Sequence, residues 1–141
     1  MTPELTGALE PGSELPPLVR TIELVDMVAY AGATWDWFRS HYDAAFVAAQ
    51  QLPAPLVDGQ MLGALLAEAA QDAFGSRARL RRLAFRFRSM VFAGDTVTCT
   101  GRIESVALGP EGRVLEIAHE VRCGDRVAVA PASSTVVLLD R

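Results

Sequence analysis

The segment from Gly59 to Phe74 places the strongest limit on what this chain can fold into. It carries Met61, Leu62, Leu65, Leu66 and Phe74, with alanine at most of the remaining positions. Only Gln60, Glu68, Gln71 and Asp72 are strongly polar. Glu68 and Asp72 lie four apart with Gln71 beside them, so on a helix they share one narrow stripe. A helix that is apolar around most of its circumference must be covered on nearly every side. Asp58 stands where an N-cap belongs and Gly75 where a C-cap belongs, which predicts the bounds of that helix.

After Gly75 the hydrophobic period changes from helical to alternating. Leu83, Phe85 and Phe87 alternate with Arg82, Arg86 and Arg88, and Val97, Cys99 and Gly101 alternate with Thr96, Thr98 and Thr100. Apolar runs over 114–121 and 127–139 follow. The separators Ala93-Gly94-Asp95, Gly109-Pro110-Glu111-Gly112 and Gly124-Asp125 are turn chemistry. The pattern predicts about four long antiparallel strands in a meander. Such a sheet, curled around one buried helix, is an α+β architecture.

The N-terminal part is less regular. Residues 1–16, with Pro3, Glu4, Glu10, Pro11 and Glu14, read as a flexible or surface-draped arm, and 17–141 as a single domain. Leu18 to Glu23 suits a short strand and Val25 to Ala33 a short helix ending near Gly32. Asp43 is placed to cap a second short helix, which Pro53 and Pro55 bring to a stop. A length of 141 residues is that of one ordinary domain, large enough to bury a core unaided. Thirteen basic against 17 acidic residues give a net charge of −4, which disfavours nucleic acid as a partner. The N-terminus has neither a basic leader nor a long apolar run, so the expectation is a cytoplasmic protein without a membrane anchor. Cys99 and Cys123 lack paired metal-ligand spacing and read as small buried hydrophobes.

Chemistry has few candidates. Of the two histidines, His119 falls within a strand and is expected to face solvent or a neighbouring subunit. His41 lies in the aperiodic stretch 33–41, five residues after Asp36. On an ideal helix that spacing separates the two by roughly 140°. Only an irregular turn brings both into one pocket, and Gly32 and Thr34 before it make such a turn plausible. Taken alone, the pair reads equally as a surface hydrogen bond or a helix cap.

The wider set of residues resembles a known family. Asp36 and His41 match the acidic and histidine positions of the Asp-x-Asn-Pro-x-His motif of MaoC-like (R)-specific enoyl-CoA hydratases. The flanking Thr34-Trp35-Asp36-Trp37 and His41-Tyr42-Asp43 also match a subgroup pattern. So do Leu52-Pro53-Ala54-Pro55, Val57-Asp58-Gly59-Gln60, Phe85-Arg86-Phe87-Arg88 and Phe92-Ala93-Gly94-Asp95. The set is similar to that of the small MaoC-like subunits of actinobacterial steroid side-chain enoyl-CoA hydratases. It runs from about residue 20 to the end. Two departures stand out: Phe38-Arg39 replaces the motif's Asn-Pro, and Asp58-Gly59 replaces a His-Gly pair at the start of the central helix.

The resemblance implies a hot-dog fold and addition of water to a 2-enoyl-CoA thioester, possibly one with a bulky steroid side chain. Asp36 and His41 would handle the protons. The Gly59 N–H, at a helix N-terminus, would hold the thioester oxygen as it becomes enolate-like. No metal and no cofactor are expected, CoA being part of the substrate. Trp35 and Trp37 read as core packing or as an apolar wall for the acyl group. Asp58 reads as an N-cap bordering the substrate, and Gly63 as a point of close approach. Arg86 and Arg88 belong to a dense arginine run expected to be a solvated strand face, or to attract CoA phosphates. The family also implies a partner: a second MaoC-like subunit in a heterotetramer, otherwise a homodimer. The rival readings are a hot-dog acyl-CoA thioesterase and a catalytically silent subunit that completes a partner's tunnel.

Overall fold

The computed structural model describes residues 9–140. The chain runs β1 (Leu18–Thr21), α1 (Leu24–Thr34), a 3-10 turn (Arg39–His41), α2 (Ala44–Ala49), α3 (Gly59–Phe74), a second 3-10 turn (Gly75–Arg77), β2 (Ala78–Phe87), β3 (Thr96–Gly109), β4 (Gly112–Cys123) and β5 (Arg126–Leu139). The strands form one antiparallel sheet in the order β1-β3-β4-β5-β2. The expected meander is therefore corrected at one point. β3, β4 and β5 are consecutive hairpin neighbours, but β2 does not pair with β3. It crosses to the far side of β5, and β1 takes the opposite edge. Arg88 to Asp95 is the connection that makes this crossing, and alternation within each strand carries no information about it.

α3 occupies its expected span and is capped by Asp58, whose side chain accepts from the Gln60 N–H. It buries Met61, Leu62, Leu65, Leu66, Ala69, Ala70 and Ala73. Its first three turns pack against Val97, Cys99, Val121 and Val129, and its last turns against Ile103, Leu115, Ile117 and Val136. On β3 and β4 these residues belong to the inward set of the alternation, and the sheet closes around the helix as a hot-dog fold. Glu68, the polar interruption on α3, reaches the edge strand and pairs with Arg20 at 2.6 Å. Cys99 lies fully inside, and burial pushes its thiol up to about 12, as expected for an inert core cysteine. No helix among the described residues is long and apolar enough to cross a membrane.

The described part of the N-terminal arm lies along β3. The N–H groups of Gly12 and Leu15 donate to the carbonyls of Ile103 and Gly101, and Ser13 accepts from Ile103. Leu15 is only 5% exposed. It occupies space left by Gly101, where a Cβ would stand 2.7 Å from the Leu15 Cδ1.

His119 corrects the expectation of an outward-facing residue. It belongs to the inward set of β4 and is 6% exposed. Its Nδ1 is 3.2 Å from the Thr100 carbonyl and its Nε2 is 2.7 Å from the Ser134 hydroxyl. A carbonyl can only accept, so Nδ1 carries the proton and the serine donates to Nε2. Gly101 opposite leaves room for the ring, since a Cβ there would stand 3.0 Å from Nδ1. An alternating strand is a poor guide here because a histidine with both nitrogens satisfied is tolerated inside.

Burial pushes the His119 imidazole below its ordinary value of 6.5, and the Thr100 carbonyl opposes that only in part. The unfolded chain binds a proton near 6.5 that the folded chain resists. The stability associated with a neutral His119 is thus complete above that pH and is lost as pH falls toward the folded value. Urea midpoints measured between about pH 7.5 and about pH 5.5 should fall with acidification, and His119→Gln should flatten the slope by at most about 1.4 kcal/mol per pH unit.

Candidate active site

The break after α1 creates the site. The helix ends at Thr34, and Trp35 adopts the left-handed conformation, with φ of 59°. That residue turns the chain sharply, a conformation uncommon for a bulky side chain. The 3-10 turn Arg39–His41 then reverses it. Asp36 and His41, which a continuous helix would hold apart, come together with Asp58 from the start of α3. One side-chain oxygen or nitrogen from each lies within 4.8 Å of the others.

Each member is held from the side. An Asp36 carboxylate oxygen accepts from the Phe38 N–H at 3.2 Å. His41 Nδ1 is 2.6 Å from the Leu56 carbonyl, so it is the donor there, and in the neutral ring Nε2 keeps a free lone pair. The Leu56 N–H in turn donates to the Ser40 carbonyl, tying the histidine's turn to the strand-like segment before α3. These backbone groups, one of them from Phe38, support the dyad where the family motif has Asn-Pro. Asp58 uses one carboxylate oxygen as the N-cap, and the other has no hydrogen-bond donor among the described residues. Its expected capping role is present, and it adds a second carboxylate to the pair. Two carboxylates and an imidazole are also an oxygen-rich ligand set for a divalent cation.

The aromatic residues around the dyad are not core. Trp35 is 79% exposed and Trp37 partly so, which corrects the core-packing reading. Trp37 bridges Trp35 and Tyr42 through edge-to-face contacts at 5.9 and 5.8 Å. Phe38 packs edge-on to the His41 ring. Together they form an exposed aromatic rim beside the carboxylates.

Gly59 opens α3 immediately after Asp58. Its N–H finds no acceptor among the described residues, the condition of a first-turn donor. Beside it lies a mainly apolar cavity of about 370 Å³, lined by Leu56, Val57, Leu62, Phe87, Met90 and Val91, with Arg88 at its border. Arg88 is fixed by a bond from Nε to the Ala130 carbonyl at 2.6 Å, while Arg86 borders a separate shallow depression with Pro131. Gly63, one turn along, faces the Phe85 ring and not the cavity.

Two contributors were not legible in advance. The Leu56 carbonyl is a backbone group and leaves no trace in residue type. Tyr30, on α1, packs against the core, and its phenol is raised above 10 first by burial and then by the charges of Asp58 and Asp36. A lone tyrosine in a helix of Val and Ala was the available signal. Spectrophotometric titration of a Tyr42→Phe background should show Tyr30 ionising above the ordinary value of 10. Adding Asp58→Asn should bring it part of the way back, leaving the share due to burial.

The sequence profile described as the MaoC like domain matches residues 10–127. A search of curated proteins finds no match. Among solved structures, the chain is similar to one in the ChsH1-ChsH2 complex from Mycobacterium tuberculosis, with a TM-score of 0.83 at 23% identity, covering 93% of this chain and 99% of that one. It is also similar to the (R)-hydratase from A. caviae involved in PHA biosynthesis, with a TM-score of 0.82 at 24% identity over 93% and 98% of the two chains. A third is the HadBC (3R-hydroxyacyl-ACP dehydratase) complex from Mycobacterium tuberculosis, with a TM-score of 0.74 at 14% identity over 96% and 98%. With the family profile spanning most of the chain, from the docked arm through the site to β5, the protein belongs to the MaoC-like dehydratase domain family.

Proposed function

We propose that the protein is an enoyl-CoA hydratase that adds water across the double bond of a 2-enoyl-CoA. The observation that carries this reading is the convergence of Asp36 and His41, with the histidine's free Nε2, beside the open Gly59 N–H and an apolar cavity. Hydration needs a base for the attacking water, an acid for C2, and a donor for the thioester oxygen. The water stands between Asp36 and His41. One of the two takes its proton as oxygen bonds to C3, and a proton is delivered to C2 as the enolate-like oxygen gives up its charge. The N–H of Gly59, at the positive end of α3, receives that oxygen. Trp35 and Trp37 shield the reacting water, and Asp58 holds the helix start in place. These steps use side-chain and backbone groups only.

The cavity suits an acyl chain, and Arg88 with Arg86 would meet the CoA phosphates. A second MaoC-like subunit is supported by likeness to chains of the ChsH1-ChsH2 and HadBC complexes. The unpaired outer side of β2, with exposed Leu80 and Phe87, is the sheet edge available to such a subunit or to a second copy.

Loss of the enoyl-thioester absorbance tests the reading. Wild type should hydrate a 2-enoyl-CoA, alone or with a co-expressed MaoC-like subunit. Asp36→Asn and His41→Ala should each lower kcat/KM by about 10²- to 10⁴-fold, with little added by combining them. Thiol release from a saturated acyl-CoA would instead identify a thioesterase. Complex activity unchanged in the double variant would leave a silent structural subunit.

A further inference from the structure

The face of α3 toward β2 has an unusual division of volume. Gly59 and Gly63 are four apart, so they lie one above the other on the helix. A Cβ at Gly59 would stand 2.7 Å from Cε1 of Phe87, and one at Gly63 would stand 2.5 Å from Cε1 of Phe85. Real side chains do not approach so closely. The space between this stripe and the strand is filled entirely from the strand, by two phenyl rings in edge-to-face contact at 5.5 Å. Trimming Phe87 would therefore open the space over Gly59 without a change in the helix itself, while Phe85 still covers Gly63.

The two rings are not equivalent. Phe85 packs against the main core and does not border the cavity. Phe87 is 51% exposed and forms the cavity wall next to Gly59. Its other cavity neighbours include Met90, which is also exposed and has a flexible chain. The outer ring thus stands over Gly59, where it limits the space open to an apolar chain leaving the Gly59 N–H.

We propose that Phe87 sets the size of the acyl group, closing the space over Gly59 so that the cavity favours a short acyl chain over a long one. This rests on the reading of the site as one for acyl-CoA. The ligand class is a fatty acyl thioester. Phe87 acts by occupying volume, and no proton transfer depends on it.

Binding of saturated butanoyl-CoA and dodecanoyl-CoA to the full chain tests the idea apart from catalysis, because neither compound can be hydrated. The readout is the ratio of their dissociation constants, from titration calorimetry. Phe87→Ala should shift that ratio toward the long chain by about tenfold or more, with Phe87→Leu in between. The leucine variant retains an apolar side chain at the strand edge and keeps the test valid if the alanine variant does not fold. A ratio equal to wild type in a folded variant overturns the proposal while leaving the acyl-CoA reading intact. Failure of wild type to bind either thioester, both alone and with a co-expressed MaoC-like subunit, overturns the acyl-CoA reading, and this proposal falls with it.

Discussion

Covering α3 on nearly all sides is the constraint from which the rest of the structure follows. A 16-residue helix with so few polar positions has no stable place on a surface. Five strands solve the problem by curling, with long β3, β4 and β5 supplying the concave floor. The helix also fixes two features of the site. Its N-terminus presents Asp58 and the Gly59 N–H at the mouth of the fold, and its glycine stripe draws β2 close enough for Phe85 and Phe87 to lie on the backbone. An N-terminus that borders the candidate site and a packed interior are therefore properties of the same element.

The dyad depends on the opposite kind of backbone. Asp36 and His41 meet because α1 stops, with Trp35 in a left-handed conformation, and because the following turn is tight. Among the described residues, neither side chain is hydrogen-bonded by another side chain that a motif would reveal. The Phe38 N–H and the Leu56 carbonyl hold them. Substitution of the family's Asn-Pro by Phe38-Arg39 is compatible with such support because the donor to Asp36 is main chain, whatever side chain the residue carries.

This division explains how much could be read from the sequence. The α3 span and its caps were legible because burial, periodicity and capping all point to the same residues. The strands were legible, but not the placement of β2 at the far edge, because alternation says which way side chains face and nothing about the neighbour. Asp36, His41 and Gly59 were reached through resemblance to a family, since their spacing alone is uninformative. His119 was misplaced because its polarity suggested solvent, while its neighbours Gly101, Thr100 and Ser134 supply room and both hydrogen-bond partners inside. Trp35 was misplaced for the converse reason: its size suggested core, while a turn at the surface required it outside.

Asp58 changes the hydrogen-bond arithmetic of the site. The carboxyl groups of Asp36 and Asp58 and the Nε2 of His41 present acceptor atoms toward the space they share. A single water there has two protons and can serve two of the three. The third acceptor must meet another donor, a retained proton or a cation. The phenol of Tyr30 on the adjoining helix feels the charges of both Asp58 and Asp36, after the larger effect of burial. A site with one carboxylate and one imidazole has no such surplus. Replacing the family's histidine by Asp58 thus brings the helix cap into one cluster with Asp36 and His41.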